Sequence, residues 1–206
     1  MIFDLDDTLI EEEAVARASV RSAGSLIPGV NPDQAEDVIL AIARGIWRAG
    51  SHHRLAVALG IASWEGLWAS FEGCHPSLDG LGAWAPGYRR QAWEAAAAEL
   101  GRPDPELARA MAAAFEATQR VGHRLLDGAA DAVRSTAAAG YRLGLLTNGP
   151  ADIQRLKLDQ SGLGSYFDAV VISGEAGTGK PSPEAFSLVL DALGVLPHEA
   201  VMVGDS

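Results

Sequence analysis

The stretch Ile2-Phe3-Asp4-Leu5-Asp6-Asp7-Thr8-Leu9 decides how this chain is read. Ile2 and Phe3 form the end of a short apolar strand, which runs directly into Asp4 and, two residues on, Asp6. In open parallel sheets, ligands bind beyond the carboxyl ends of the strands. The residues just beyond each strand are therefore a test of function. Taken alone, the segment from Asp4 to Leu9 also reads as a turn and helix cap, because Asp is common in caps. The rest of the chain separates the two readings.

Working outward, an α/β texture returns after Leu126. Asp127-Gly128 opens a helix to Ala139, and Tyr141 to Thr147 reads as a strand ending in Asn148-Gly149-Pro150. A helix covers Ala151 to Ser161, a strand Ala169 to Ser173, a helix Ser182 to Leu193 and a strand Ala200 to Gly204. Alternating strands and helices with short links predict a parallel sheet, and continuous apolar strands predict cover on both faces. Between the first strand and this unit, residues 11–124 read as helical. Glu11, Glu12 and Glu13 suit the positive end of a helix start. Asn31-Pro32-Asp33 opens a helix to about Ala49, with Val38, Ile42, Ile46 and Trp47 at helical spacing. A short helix follows from His52 to Leu59, and Trp64, Leu67, Trp68 and Phe71 form an amphipathic turn set. Gly73 to Gly82 reads as a loop, and helices span Gly87–Leu100 and Asp104–Arg124. The expected architecture is a discontinuous α/β core, residues 1–10 and 125–206, interrupted by a helical domain, residues 11–124. All five Trp fall in that insertion, as helical core for the most part and in part as a lid wall.

Composition narrows the function classes. With 16 Lys and Arg against 27 Asp and Glu, the net charge is −11. That excludes a nucleic-acid surface and an anionic membrane as partners, since both need a basic footprint. No apolar run reaches the roughly 18–20 residues of a membrane span, and the opening MIFDLDD is not that of a signal peptide. One Cys excludes an intramolecular disulfide and fits a reducing compartment, the cytoplasm. Only two basic residues are Lys, at 157 and 180. In a chain that otherwise uses Arg, a retained Lys suggests a task Arg cannot do. Lys157 itself reads as a solvated helix charge.

The strand ends collect a chemical set. Asp4 and Asp6 follow the first strand, Thr147-Asn148 the second and Asp205-Ser206 the last, and the loop after the third leads to Lys180-Pro181. Crowded carboxylates raise one another's pKa, and a hard divalent cation relieves the crowding. Mg²⁺ takes oxygen ligands, commonly one or two carboxylates with substrate phosphate and water.

These four motifs resemble those of the haloacid dehalogenase superfamily, in the branch with a helical cap inserted after the first core strand. The resemblance implies a Rossmann-like α/β core. It makes Asp4 the nucleophile that forms an aspartyl-phosphate and Asp6 the general acid/base. It assigns Mg²⁺ to Asp4, the backbone carbonyl of Asp6, and Asp205. Thr147 and Asn148 would bind phosphate oxygens, and Lys180 would neutralise charge on the nucleophile and the transferring group. Asp7 is expected to act only as a cap. True dehalogenases do not normally carry Asp two residues after the nucleophile, because a halide leaves without acid help. The implied function is thus a Mg²⁺-dependent phosphatase of a small phosphorylated metabolite. The alternatives are a dehalogenase-type hydrolase and a catalytically silent interaction protein. The family's sheet and fourth motif usually continue past Ser206, so the core is expected to be cut short. Gly174–Lys180 approaches a phosphate-binding loop, but Pro181 stands where Ser or Thr is required. Cys74-His75 and His52-His53 lack a second ligand pair, and His123 and His198 carry no signal.

Overall fold

The computed structural model describes residues 1–205; Ser206, named above with the fourth motif, lies outside them. Four strands form one parallel sheet: β1 (Ile2–Phe3), β2 (Gly144–Thr147), β3 (Ala169–Ile172) and β4 (Met202–Val203), in the order β3-β2-β1-β4. The two-residue β1 is central, pairing with β2 and β4 through both of its residues. Its neighbours anchor it at each end, with Ile2 N–H donating to the Val201 carbonyl at 2.8 Å and Asp4 N–H to that of Val203 at 2.9 Å. β2 is shorter than the expected Tyr141–Thr147 strand. The Leu143 N–H goes instead to the Asp168 carboxylate at 2.9 Å, so the ladder starts one residue later.

Among the described residues, the insertion after β1, residues 11–124, carries six α-helices: α1 (Glu13–Gly24), α2 (Pro32–Ala49), α3 (His53–Ala58), α4 (Ser63–Gly66), α5 (Asp79–Glu99) and α6 (Pro105–Gly122). The caps follow the sequence. Asn31 accepts from the Asp33 N–H at 2.8 Å and Asp104 from that of Glu106 at 2.9 Å, each with Pro at the first helical position. Two expectations fail. α5 begins at Asp79, inside the expected loop, and passes through Pro86. Pro86 removes one helical bond, at a cost of about 3 kcal/mol. The helix survives because Leu81, Ala85, Tyr88, Ala92 and Trp93 bury one continuous face. The Trp64–Phe71 segment keeps only the short α4, and Phe71 then takes a left-handed conformation, φ 62°.

After β1's helical insertion the chain continues as α7 (Ala129–Ala138), α8 (Ala151–Ser161), α9 (Ser173–Ala176) and α10 (Pro183–Leu193). Apolar clusters cover both sheet faces. Phe3, Leu5, Leu145, Val133 and Leu158 pack on one side, and Ile2, Leu146, Ala185, Val189 and Leu193 on the other. Adjacent residues on a strand thus feed opposite clusters, as the pleat requires. A further cluster fills the helical insertion, with Trp47, Trp68, Tyr88, Trp93 and Phe115 buried in it. The chain leaves and re-enters the sheet side by side. Glu11 N–H donates to the Arg124 carbonyl and Leu126 N–H to that of Leu9, both at 2.9 Å, and Ile10 bridges Leu125 in antiparallel fashion.

Candidate active site

β1 delivers Asp4 to the carboxyl end of the central strand. Its Oδ1 accepts from the Leu5 N–H at 2.8 Å, and its Oδ2 is ion-paired with Lys180. Lys180 is aimed by Asn148, which grips its backbone twice. Asn148 Oδ1 accepts from the Lys180 N–H at 2.8 Å, and Asn148 Nδ2 donates to the Lys180 carbonyl at 2.9 Å. One side chain therefore locks the second motif to the third. Gly60 closes on this amide from the insertion; a Cβ there would come within 2.4 Å of Asn148 Nδ2. Thr147, buried at the end of β2, directs its hydroxyl toward Gln154 Oε1 at 3.4 Å.

Asp4, Asp6, Thr147, Asn148, Lys180 and Asp205 all line one cavity of about 570 Å³. The insertion contributes Gly60, Ala62, Trp64 and Glu65 to the same walls. All six residues singled out in the sequence thus face a common space. Asp7 takes a left-handed conformation, φ 51°, which Asp tolerates better than most residues. Its Oδ1 accepts from the N–H groups of Glu12 at 2.9 Å and Glu13 at 3.2 Å, at the start of α1, matching the expected capping role.

The oxygen-only donors Asp4, Asp205 and the Asp6 carbonyl suit a hard cation in kind. Among the described residues, no three His, Cys, Asp or Glu side chains gather closely enough to hold an ion by themselves. Two carboxylates and a carbonyl are nonetheless a usual protein share for Mg²⁺, with water and phosphate filling the remaining positions.

Lys157 departs from expectation. Its side chain is fully buried, not solvated. Its Nζ lies 3.0 Å from Asp6 Oδ1 and 2.7 Å from Glu12 Oε2. Asp6 Oδ2 accepts from Gln154 Nε2 at 2.9 Å, one helical turn before Lys157 on α8. Glu12 Oε2 also lies 2.9 Å from His123 Nε2, and Glu12 Oε1 accepts from the Trp64 indole N–H at 3.2 Å. Glu65 accepts from the Ala62 N–H at 2.8 Å and lies 3.4 Å from Gln154 Nε2. Burial pushes the Asp6 carboxyl above its ordinary value, although the Lys157 charge pulls it back. Burial also pushes Glu12 up, but Lys157 and His123 overcome it and hold the group at about 2. For Glu65 burial wins, with help from the Asp6 and Glu12 charges, and its carboxyl is pushed up to about 8. The Lys157 ammonium is raised by its carboxylate partners despite burial.

Glu12, Glu65, His123, Gln154 and Lys157 are the site residues that sequence reasoning missed. One signal pointed to Lys157, its retention as Lys in an Arg-rich chain.

Residues 1–206 match the family described as haloacid dehalogenase-like hydrolase. Phosphoserine phosphatase of Thermus thermophilus is 39% identical over 206 residues, spanning 100% of this chain and 80% of that protein. A HAD phosphatase from Thermococcus onnurineus shares the fold with a TM-score of 0.55 at 25% identity, covering 100% of this chain and 76% of that one. L-2-haloacid dehalogenase from Xanthobacter autotrophicus gives a TM-score of 0.54 at 23% identity, covering 98% and 67%. The same fold thus carries both chemistries, and it is the full-length family match together with the Thermus phosphatase that places this chain: it belongs to the haloacid dehalogenase-like hydrolases.

Proposed function

We propose that this hydrolase is a cytoplasmic, Mg²⁺-dependent phosphatase of a small phosphorylated metabolite, working through an aspartyl-phosphate on Asp4. The supporting observation is that Asp6, a second carboxyl group, lines the same cavity as Asp4 and Lys180. Attack on phosphorus expels an alkoxide, which needs a proton; a halide leaving carbon does not. An acid two residues from the nucleophile serves the first reaction and is idle in the second.

On this reading the Asp4 carboxylate attacks phosphorus, and the bond to the leaving oxygen breaks as Asp6 gives that oxygen a proton. Asp6 then takes a proton from water, which attacks the aspartyl-phosphate and releases inorganic phosphate with Asp4 restored. Lys180 offsets charge on the nucleophile and the transferring group, while Thr147 and the Asn148 N–H hold phosphate oxygens. Bound Mg²⁺, held by Asp4, the Asp6 carbonyl and Asp205, would supply charge neutralisation for the phosphoryl oxygens. Residues 11–124 act as a cap over the sheet, residues 1–10 and 125–206, with Trp64 and Glu65 as its wall on the site.

Phosphoserine heads the substrate screen because the Thermus relative bears that activity in its name. Sugar phosphates, phosphoglycolate, nucleoside monophosphates and acylneuraminate phosphates come next. The test is phosphate release with Mg²⁺ present, its loss with a chelator and its return on adding Mg²⁺. Halide release from haloacids without phosphate release from any ester would overturn the reading.

A further inference from the structure

Lys157 is the most deeply buried charge in the cluster beside the site, and no step of the proposed reaction uses it. Both oxygens of the Asp6 carboxylate are engaged from α8, Oδ1 by Lys157 at 3.0 Å and Oδ2 by Gln154 at 2.9 Å. These two α8 residues are three apart and so project from one helix face. Both are fully buried. The same ammonium holds Glu12 at 2.7 Å. Glu12 sits where the chain leaves the sheet, and His123, which also meets Glu12 Oε2, sits where the chain returns. Trp64 and Glu65, from α4 of the insertion, complete the cluster.

We propose that Lys157 is a positioning residue: it fixes the Asp6 carboxylate from beneath and, by gripping Glu12 with the same ammonium, makes that position depend on how the helical insertion meets the sheet. The inference rests on Asp6 being the acid of the proposed reaction. The ammonium is compact and its side chain fully buried, so the larger planar guanidinium of Arg is not an equivalent replacement. This gives a chemical task to the lysine retained at this position. Placement matters because a displacement of about 1 Å can cost about 10²-fold in rate.

The test uses two aryl esters of nearly equal shape, phenyl phosphate and p-nitrophenyl phosphate. The first has a poor leaving group that needs the acid; the second leaves readily. In Lys157→Met, kcat on phenyl phosphate should fall about 10²-fold and on p-nitrophenyl phosphate less than about tenfold, with KM nearly unchanged. Since Lys157→Met strands two buried carboxylates, the double variant Lys157→Met with Glu12→Gln restores the charge count and secures folding. It should keep the same leaving-group selectivity. Equal loss on both esters, or full turnover of phenyl phosphate in the double variant, overturns the proposal. Asp6→Asn in the same assay keeps the two ideas apart. If it too lacks selectivity, the acid assignment has failed; if it alone shows selectivity, only the Lys157 proposal has.

Discussion

The chain has two lysines, and each meets one aspartate of the first motif. Lys180 pairs with Asp4 at the rim of the cavity, in a loop gripped by Asn148. Lys157 pairs with Asp6 from inside, on a helix, with no exposed surface. At the rim, the pair faces the space where substrate charge would arrive, so its partner can change during a reaction. In the interior, the ammonium already holds two carboxylates and has no further ligand to meet. On the proposed reading, the rim lysine does chemistry and the buried one holds a geometry. The two lysines differ in burial and in number of partners, not in residue type, and on that reading these divide the two tasks.

The comparison can be broken at either end. The largest effect is expected from Asp4→Asn, which removes the proposed nucleophile. Phosphate release should fall by about 10³-fold or more, and undiminished turnover would remove Asp4 from that role. Next, Lys180→Met should lower kcat/KM by about 10²–10³-fold with little change in the denaturant midpoint. A large loss of stability there would erase the distinction from Lys157. Lys157→Met should do the reverse to the fold, costing about 3–5 kcal/mol in urea unfolding because it leaves buried carboxylates unpaired. A loss below about 1 kcal/mol, the scale of an exposed pair, would mean that the cluster does not depend on its cation.

The smallest effect concerns pH. The Glu65 carboxyl is raised from 4.5 to about 8, so between those values the folded chain holds a proton that the unfolded chain has released. Stability from this group is complete below pH 4.5 and is lost as pH rises toward 8. Glu12, lowered from 4.5 to about 2, has the opposite sign, and its contribution is lost as pH falls through that window. Urea midpoints measured from pH 5 to 8 should fall in the wild type and stay flatter in Glu65→Gln. Equal slopes would show that Glu65 is ionised throughout.

The rim was legible in sequence and the interior was not, for a physical reason. Asp4, Thr147, Asn148 and Asp205 each lie at or just past a strand's end, and Lys180 lies in the loop that follows β3 and α9. A parallel sheet brings strand ends together whatever the spacing between them. The cluster around Lys157 obeys no such rule. Lys157 and Asp6 are 151 positions apart, and α8 reads as polar, with Asp152, Arg155, Asp159 and Gln160 around it. Of the three consecutive glutamates only Glu12 is buried, a choice set by which way the first turn of α1 faces. The start of α5 escaped in the same manner. The turn-rich Gly73 to Gly82 read as a loop, and the apolar face of α5 outweighed that local preference. Sheet topology thus follows from local patterns, whereas a buried polar cluster is assembled by tertiary contact alone.

The direct pairing of Ile10 with Leu125 has an evolutionary consequence. Because the exit and return points are neighbours, whatever lies between them imposes no span on the sheet. Length and content there can drift or be exchanged wholesale, while the sheet keeps its register. The cost of such exchange falls on the groups that reach across, Glu12, Trp64, Glu65 and His123 among them, so a transplanted insertion would have to bring its own answer to Lys157.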